Sequence, residues 1–221
     1  MESLLLFAEE LERRDADVAQ ALAGVERLQA DVEDLRVHAA AVASFLAALP
    51  GALAERAADE RAAADARERA EVALQKAEQL LERTVKEEPR LQAERAVRSA
   101  RDDLHAAEFW VAQAREALAG LESEGAARRA EADQLVARTG GFAARVRDVP
   151  PAPSSLDGAL EWASLARGAL LLEHSKLVRE RDEVVREATE LLASVSGDPL
   201  TSVAGAGVRE RLARALGGSS S

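Results

Sequence analysis

Three histidines, His38, His105 and His174, are the only imidazoles in a 221-residue chain that has no cysteine and no tyrosine. A zinc protease helix needs two histidines four residues apart, so that both rings reach one ion, and no pair here has that spacing. A ferritin-like di-iron site needs a Glu-x-x-His motif on each of two facing helices. The nearest pattern is Asp102 with His105, a single carboxylate–imidazole pair, which reads as a solvated helix face. His174 lies between Leu170 and Leu177, at the border of an apolar stripe, and is expected to be half-buried and paired. The absence of cysteine excludes disulfides, thiolate metal sites and cysteine nucleophiles.

The phosphate-binding and nucleophile motifs fare no better. No Gly-x-x-x-x-Gly-Lys-Ser/Thr loop and no Gly-x-Ser-x-Gly elbow occurs. Gly205-Ala206-Gly207 lacks the third glycine of a dinucleotide loop and has no strand pattern before it. Carboxylates are plentiful, but a catalytic pair needs a pocket that pushes one pKa away from the other, and slender helical hairpins rarely build one. The expectation is a protein that is not an enzyme, with no catalytic residue, no cofactor and no bound metal.

The elements that must carry these residues are helices. Alanine fills 50 positions, aromatics are 3%, and isoleucine and asparagine are absent, a composition poor in strand formers. Arginine outnumbers lysine 26 to 3, which with the alanine excess suggests a GC-rich bacterial coding sequence. The net charge is −11, with −6 carried by residues 1–50, −4 by 51–139 and −1 by 140–221. Such a balance disfavours nucleic acid, because neutralising phosphates takes a basic face, and it gives the N-terminal part an acidic surface that could attract a basic protein.

Leu4, Leu11, Val18, Val25, Val32, Ala39 and Leu46 recur every seven residues, as do Phe7, Arg14, Ala21, Leu28, Leu35, Val42 and Leu49 three positions later. Thirteen of these fourteen are apolar, the signature of a coiled-coil seam, and Arg14 alone breaks it. A helix over 2–49 would be roughly 70 Å long and cannot bury its own stripe, so it requires a partner. Pro50-Gly51 is expected to end it and send the chain back antiparallel. An alanine-rich helix follows over 52–88. A third pattern, Val97, Ala100, Leu104, Ala107, Val111, Ala114, Leu118 and Leu121, alternates large with small residues and fades after Gly125.

Gly140, Gly141, Pro150, Pro151, Pro153, Ser154 and Ser155 punctuate a linker over 140–155, with Ser154 and Asp157 at capping-box spacing. The helix after it carries paired apolar residues, Leu170-Leu171, Leu177-Val178, Val184-Val185 and Leu191-Leu192, a face broad enough for two neighbours. Gly197 is read as its cap and Asp198-Pro199 as the restart of a short helix with Val208, Leu212 and Leu216 on one face. The organisation is thus a helical hairpin or coiled-coil region over 1–139, the linker, a helical region over 156–216 and a flexible tail over 217–221.

The fold class is all-α, built of long antiparallel helical hairpins. Pro89 has no turn residue beside it, so the favoured arrangement is a kinked rod hinged at Pro89, with an up-down four-helix bundle as the alternative. The uncharged stretch Val37–Ala54 makes Phe45, Leu46, Leu49 and Leu53 a candidate interaction tip, and Trp110 and Trp162 are candidate partner anchors. Half of that stretch is alanine or glycine, a poor membrane span, and the first residues lack the basic flank of a signal peptide. The functional expectation is a cytoplasmic, non-catalytic scaffold, spacer or oligomerisation protein whose partners are proteins, a homodimer first among them. The alternatives are a membrane-surface helical hairpin, coating lipid through Met1–Ala8 or the uncharged tip, and an accessory coiled coil of an ATPase-driven, chromosome-organising type of complex.

Overall fold

The computed structural model describes residues 2–196 and 204–217. Within them the chain is all-α, with helices α1 (Glu2–Arg83), α2 (Glu87–Ala143), α3 (Leu156–Ser196) and α4 (Ala204–Gly217), and no strand. The readings placed on Gly197, Asp198-Pro199 and the end of the tail, 218–221, lie outside the described residues, as does Met1. Two compact units divide the chain: Ala41–Gln134, and Met1–Ala40 together with Leu135–Ser221.

The unit over Ala41–Gln134 is an antiparallel pairing of α1 with α2. Ion pairs fix the direction: Glu60 meets Arg115 at 2.9 Å, Arg67 meets Glu108 at 4.0 Å, and Glu78 meets Arg101 at 3.6 Å. As numbers rise on α1 they fall on α2. All eight residues of the Val97–Leu121 pattern turn inward, Val97, Ala100 and Val111 buried and the rest half-buried. The pattern does not fade at Gly125. That glycine is itself a seam position, and a Cβ there would lie 2.6 Å from Leu49 Cδ2. The missing side chain is what lets Leu49 pack to 3% exposure.

Several helix boundaries differ from the sequence reading. Pro50-Gly51 does not end the first helix: α1 runs unbroken through Pro50 for 82 residues. Proline there removes one amide hydrogen bond and crowds the preceding turn, a cost of about 3 kcal/mol. The apolar seam on either side, closed by Leu49 against Gly125, outweighs it. The kink at Pro89 is likewise absent, because the chain reverses over Thr84–Lys86 and Pro89 sits in the first turn of α2. The Thr84 hydroxyl donates to the Leu80 carbonyl at 2.7 Å and the Thr84 amide donates to Leu81 at 3.2 Å, closing the end of α1. The first α2 bond runs from the Arg90 amide to the Lys86 carbonyl at 3.0 Å, so Pro89 occupies a position whose amide would have no helical partner anyway. Among the described residues only Asp148 is a non-glycine with positive φ, so this reversal needs no left-handed residue and hence none of the turn formers whose absence argued against it.

In the other unit, the first part of α1 packs antiparallel on α3. The pairs are Arg14 with Glu187 at 2.9 Å, Asp15 with Arg181 at 3.6 Å, Glu26 with His174 at 3.5 Å and Glu33 with Arg167 at 3.7 Å. The end of α2 joins them through Arg138 and Asp34, 3.6 Å apart. Thr139-Gly140-Gly141 does not stop α2, which continues to Ala143. Thr139 is fully buried, its hydroxyl donating to the Val136 carbonyl. Helix α4 completes a small core in which Val208 and Leu212 lie with Ala8, Leu11, Val184, Ala188, Leu191 and Val195. Its Arg211 reaches Glu9 at 3.0 Å, and its Arg214 reaches Glu12 at 3.2 Å.

The seam itself shifts along α1. From Leu28 onward the buried residues are those read from the heptads: Leu28, Val32, Leu35, Ala39, Val42 and Leu49. Before Leu28 one of the two rows moves by a residue, to Ala8, Asp15 and Leu22, leaving Phe7 44% exposed and Ala21 at the surface. A 3.6-residue helix drifts about 20° per strict heptad, and the seam follows that drift. Arg14 is therefore not a flaw in the seam; it lies beside it.

The α3 cap is Ser155 rather than Ser154. Its hydroxyl accepts from the Gly158 amide at 3.1 Å, and its carbonyl accepts the first helical bond from Ala159. The 144–155 connection is pinned by the Trp162 indole N–H, which donates to the Pro150 carbonyl at 3.1 Å. Replacing Pro50 with alanine should raise unfolding stability by up to about 3 kcal/mol, read from urea melts; a neutral or destabilising effect would contradict a continuous helix there. Ser155→Ala should cost about 1 kcal/mol in the same measurement.

Candidate functional site

The residues singled out from sequence do not form one site. Phe45, Leu46, Leu49 and Leu53 lie within α1, not at a tip, because no chain reversal occurs beside them. Leu49 is buried, and Phe45, Leu46 and Leu53 are half-buried. The Arg128 guanidinium stands 5.6 Å from the Phe45 ring centre, covering it from α2. Trp162 is 2% exposed with its N–H satisfied, so it is a core residue and offers no surface to a partner. Pro89 is the N-terminal turn residue already described.

Trp110 is different. It is 63% exposed, and Phe109 beside it is 57% exposed, the rings in edge-to-face contact with centroids 5.5 Å apart. The pair stands on the outside of α2, where Val111 alone of the three turns inward. Leu91, at the start of the same helix, is also exposed, as are Val72 and Leu80 on α1.

Most titratable groups of the helices sit on their surfaces. A hydrogen bond from Arg13 holds the Glu10 carboxyl below its ordinary range, and Arg36 does the same for Glu33. Arg13 and Arg36 are raised in turn, each by its hydrogen bond with that glutamate, as is Arg128 by Glu131. Each pair joins neighbours three residues apart on one helix, the Arg13–Glu10 pair exposed and the other two part-buried, the kind of contact that supports a helix surface. For the carboxylates the sign is fixed: any stability they add is present at neutral pH and lost as pH falls through their lowered folded values. His105 lies 3.5 Å from Glu108 at an exposed site, on the partner one turn after it rather than on Asp102. No cluster of three metal-ligating side chains occurs among the described residues.

The most enclosed ion pair between helices, among the described residues, is one that sequence reasoning missed. Asp15 is 8% exposed on the α1 seam, its carboxylate 3.6 Å from Arg181 Nε of α3, with Arg14 and Glu187 paired beside it. The heptad reading placed Arg14 on the seam and left Asp15 outside, which hid the pair. Sequence alone could have found it by letting the seam drift.

The open concavities are shallow. One, of about 420 Å³, lies between Leu22 and Glu26 of α1 and His174, Val178 and Asp182 of α3. A larger one, of about 760 Å³, runs along α3 between Leu165, Ala169 and Leu172 and the connection residues Arg147, Asp148 and Pro150. Its apolar wall is an outward face of α3, formed by Leu165 at 48% and Leu172 at 67% exposure. Such a wall can bind another apolar surface, and Glu173, Lys176 and Glu180 line the same groove. Comparison of the chain with protein-family models, curated proteins and solved structures finds no match.

Removing one partner of the seam ion pair should expose its value. Asp15→Ala leaves Arg181 half-buried without its carboxylate and should cost about 1–3 kcal/mol in urea unfolding. The double change Asp15→Leu with Arg181→Leu should recover most of that loss. A double mutant no more stable than Asp15→Ala would show that the pair is not what the seam holds there.

Proposed function

We propose that this chain is a non-catalytic coiled-coil scaffold that works by self-association and by holding protein partners along its helices. The observation that carries this reading is the set of large apolar side chains outside its own packing: Leu80, Leu91, Phe109 and Trp110 on the α1–α2 pairing, and Leu165, Leu171 and Leu172 on α3. Exposed apolar residues scattered singly are ordinary, but neighbouring aromatics on a two-helix unit and repeated leucines on one helix point to a surface used by another chain. The shallow grooves and solvated ion pairs support a binding role over a chemical one. Seam packing would set the spacing and the outward apolar groups would make the contacts.

One observation favours a second reading, a hairpin that lies on a membrane surface. The α1 helix contains an 18-residue window with mean hydropathy 1.7, of which 17% is buried within the chain. Against it stands the acidic N-terminal part, which anionic lipid repels.

Sedimentation across the micromolar range tests the main reading, which expects mass to rise with concentration; a monomer throughout would refute self-association. Phe109→Ala with Trp110→Ala should leave unfolding stability within about 0.5 kcal/mol, since neither side chain is packed. A larger loss would mean that these rings serve the fold and are not contact groups. Flotation with neutral and anionic vesicles separates the second reading, which requires the chain to rise with lipid.

A further inference from the structure

The outward face of α3 is self-complementary. Glu161, Leu165, Gly168, Ala169, Leu172 and Lys176 recur at steps of three and four and share one side of the helix. Apart from the half-buried Ala169, all are exposed. Among the described residues Glu161 and Lys176 are in no ion pair, whereas Arg167, His174, Arg181 and Glu187 on the core side of α3 pair with α1. A Cβ added at Gly168 would meet nothing within 4 Å, so its own fold gains no packing from a glycine there, in a helix interior where glycine costs about 1 kcal/mol. By contrast Gly158, on the same helix, is needed: a Cβ there would lie 2.8 Å from Pro153.

We infer that α3 pairs with α3 of a second copy, antiparallel, about a two-fold axis at the Gly168–Ala169 step; this rests on the self-association proposed above and names its surface. A two-fold contact must satisfy reciprocity, so that if one residue meets another, the second meets the first. This face does so with complementary chemistry at each level. Gly168 stands opposite Ala169 of the second copy, where small side chains let the axes approach. Leu165 stands opposite Leu172 of the second copy, closing four leucines around the crossing. Glu161 stands opposite Lys176 of the second copy, giving two ion pairs that close the ends. A parallel pairing would instead set Glu161 against Glu161 and Lys176 against Lys176. The groove against Arg147, Asp148 and Pro150 supplies one shoulder, which bounds where the second helix can lie. The core side of α3, with Trp162, Ala166, Leu170 and Val184, is already used by its own unit and stays so.

The full chain, cysteine-free as it stands, is the test material. Sedimentation of Leu165→Glu and Leu172→Glu should show self-association weakened by about tenfold or more, since each buries a charge among leucines. Glu161→Lys alone should weaken it by about threefold or more. Glu161→Lys combined with Lys176→Glu should return it to within about twofold of the original, because the swap preserves every opposite-charge contact. Gly168→Cys should give a covalent dimer on mild oxidation, and Gly120→Cys, exposed on α2, should not. An original chain that stays monomeric throughout overturns this inference together with the self-association reading. A chain that dimerises, is indifferent to all four α3 charge variants and forms no Gly168→Cys disulfide overturns the α3 pairing alone.

Discussion

A single apolar row running the length of α1 has to be kept from water, and everything else in the fold answers that constraint. A helix with one greasy stripe has no way to bury it internally. Here the stripe is covered in succession: near Ala8 and Leu11 by α3 and α4, from Val18 to Leu35 by α3 and the end of α2, and from Leu49 to Leu81 by α2. Pro50 falls in the middle of this row. A proline would stop a helix that stood alone, but the seam on both sides commits the backbone to continue, and the lost hydrogen bond is smaller than the packing it would interrupt. Leu49 lodging where Gly125 lacks a side chain is the clearest local expression of that balance.

The polar contacts between helices then serve register. Antiparallel helices with alanine-rich seams can slide, since one alanine looks much like another. Pairs such as Glu60 with Arg115 and Arg67 with Glu108 oppose sliding on the α1–α2 side, although exposed pairs add little to stability. Asp15 with Arg181 is more enclosed and more consequential, because a shift of one position would leave a carboxylate on an apolar seam without its guanidinium. The exposed apolar groups, Phe109 and Trp110 on α2 and Leu165 and Leu172 on α3, are what the internal seams leave over, and the proposed scaffold role is a reading of that surplus.

Much of the fold was legible in the residues, for reasons that can be named. Helix content followed from composition, and the α2 stripe from Val97 to Leu121 followed from spacing, because long regular patterns dominate local exceptions. Proline and glycine mislead for the same reason in reverse: Pro50-Gly51 read locally ends a helix and Gly140-Gly141 opens a linker, whereas α1 runs through the first and α2 continues past the second to Ala143. At Pro89 a turn was discounted for want of glycine or asparagine, yet Thr84 closes α1 through its hydroxyl without any left-handed residue. Asp15 was invisible to a rigid heptad. The candidate surfaces are half legible: Trp110 stands outside as an anchor would, Trp162 is core, and Leu165 with Leu172 lie off the Leu170-Leu171 stripe, on a side of α3 that its heptad pairs do not mark.

The segment that lies beside the middle of α1 decides between a continuous helix and a reversal at Pro50. Cysteines placed at Glu60 and Arg115, treated with a short bis-maleimide in dilute solution, should link within one chain, since these side chains meet at 2.9 Å across the α1–α2 seam. Cysteines at Ala41 and Glu60 should not link, because both lie on one unbroken helix. Linkage of 41 to 60 with none between 60 and 115 would mean that the chain folds back at Pro50, and the continuous helix would be refuted.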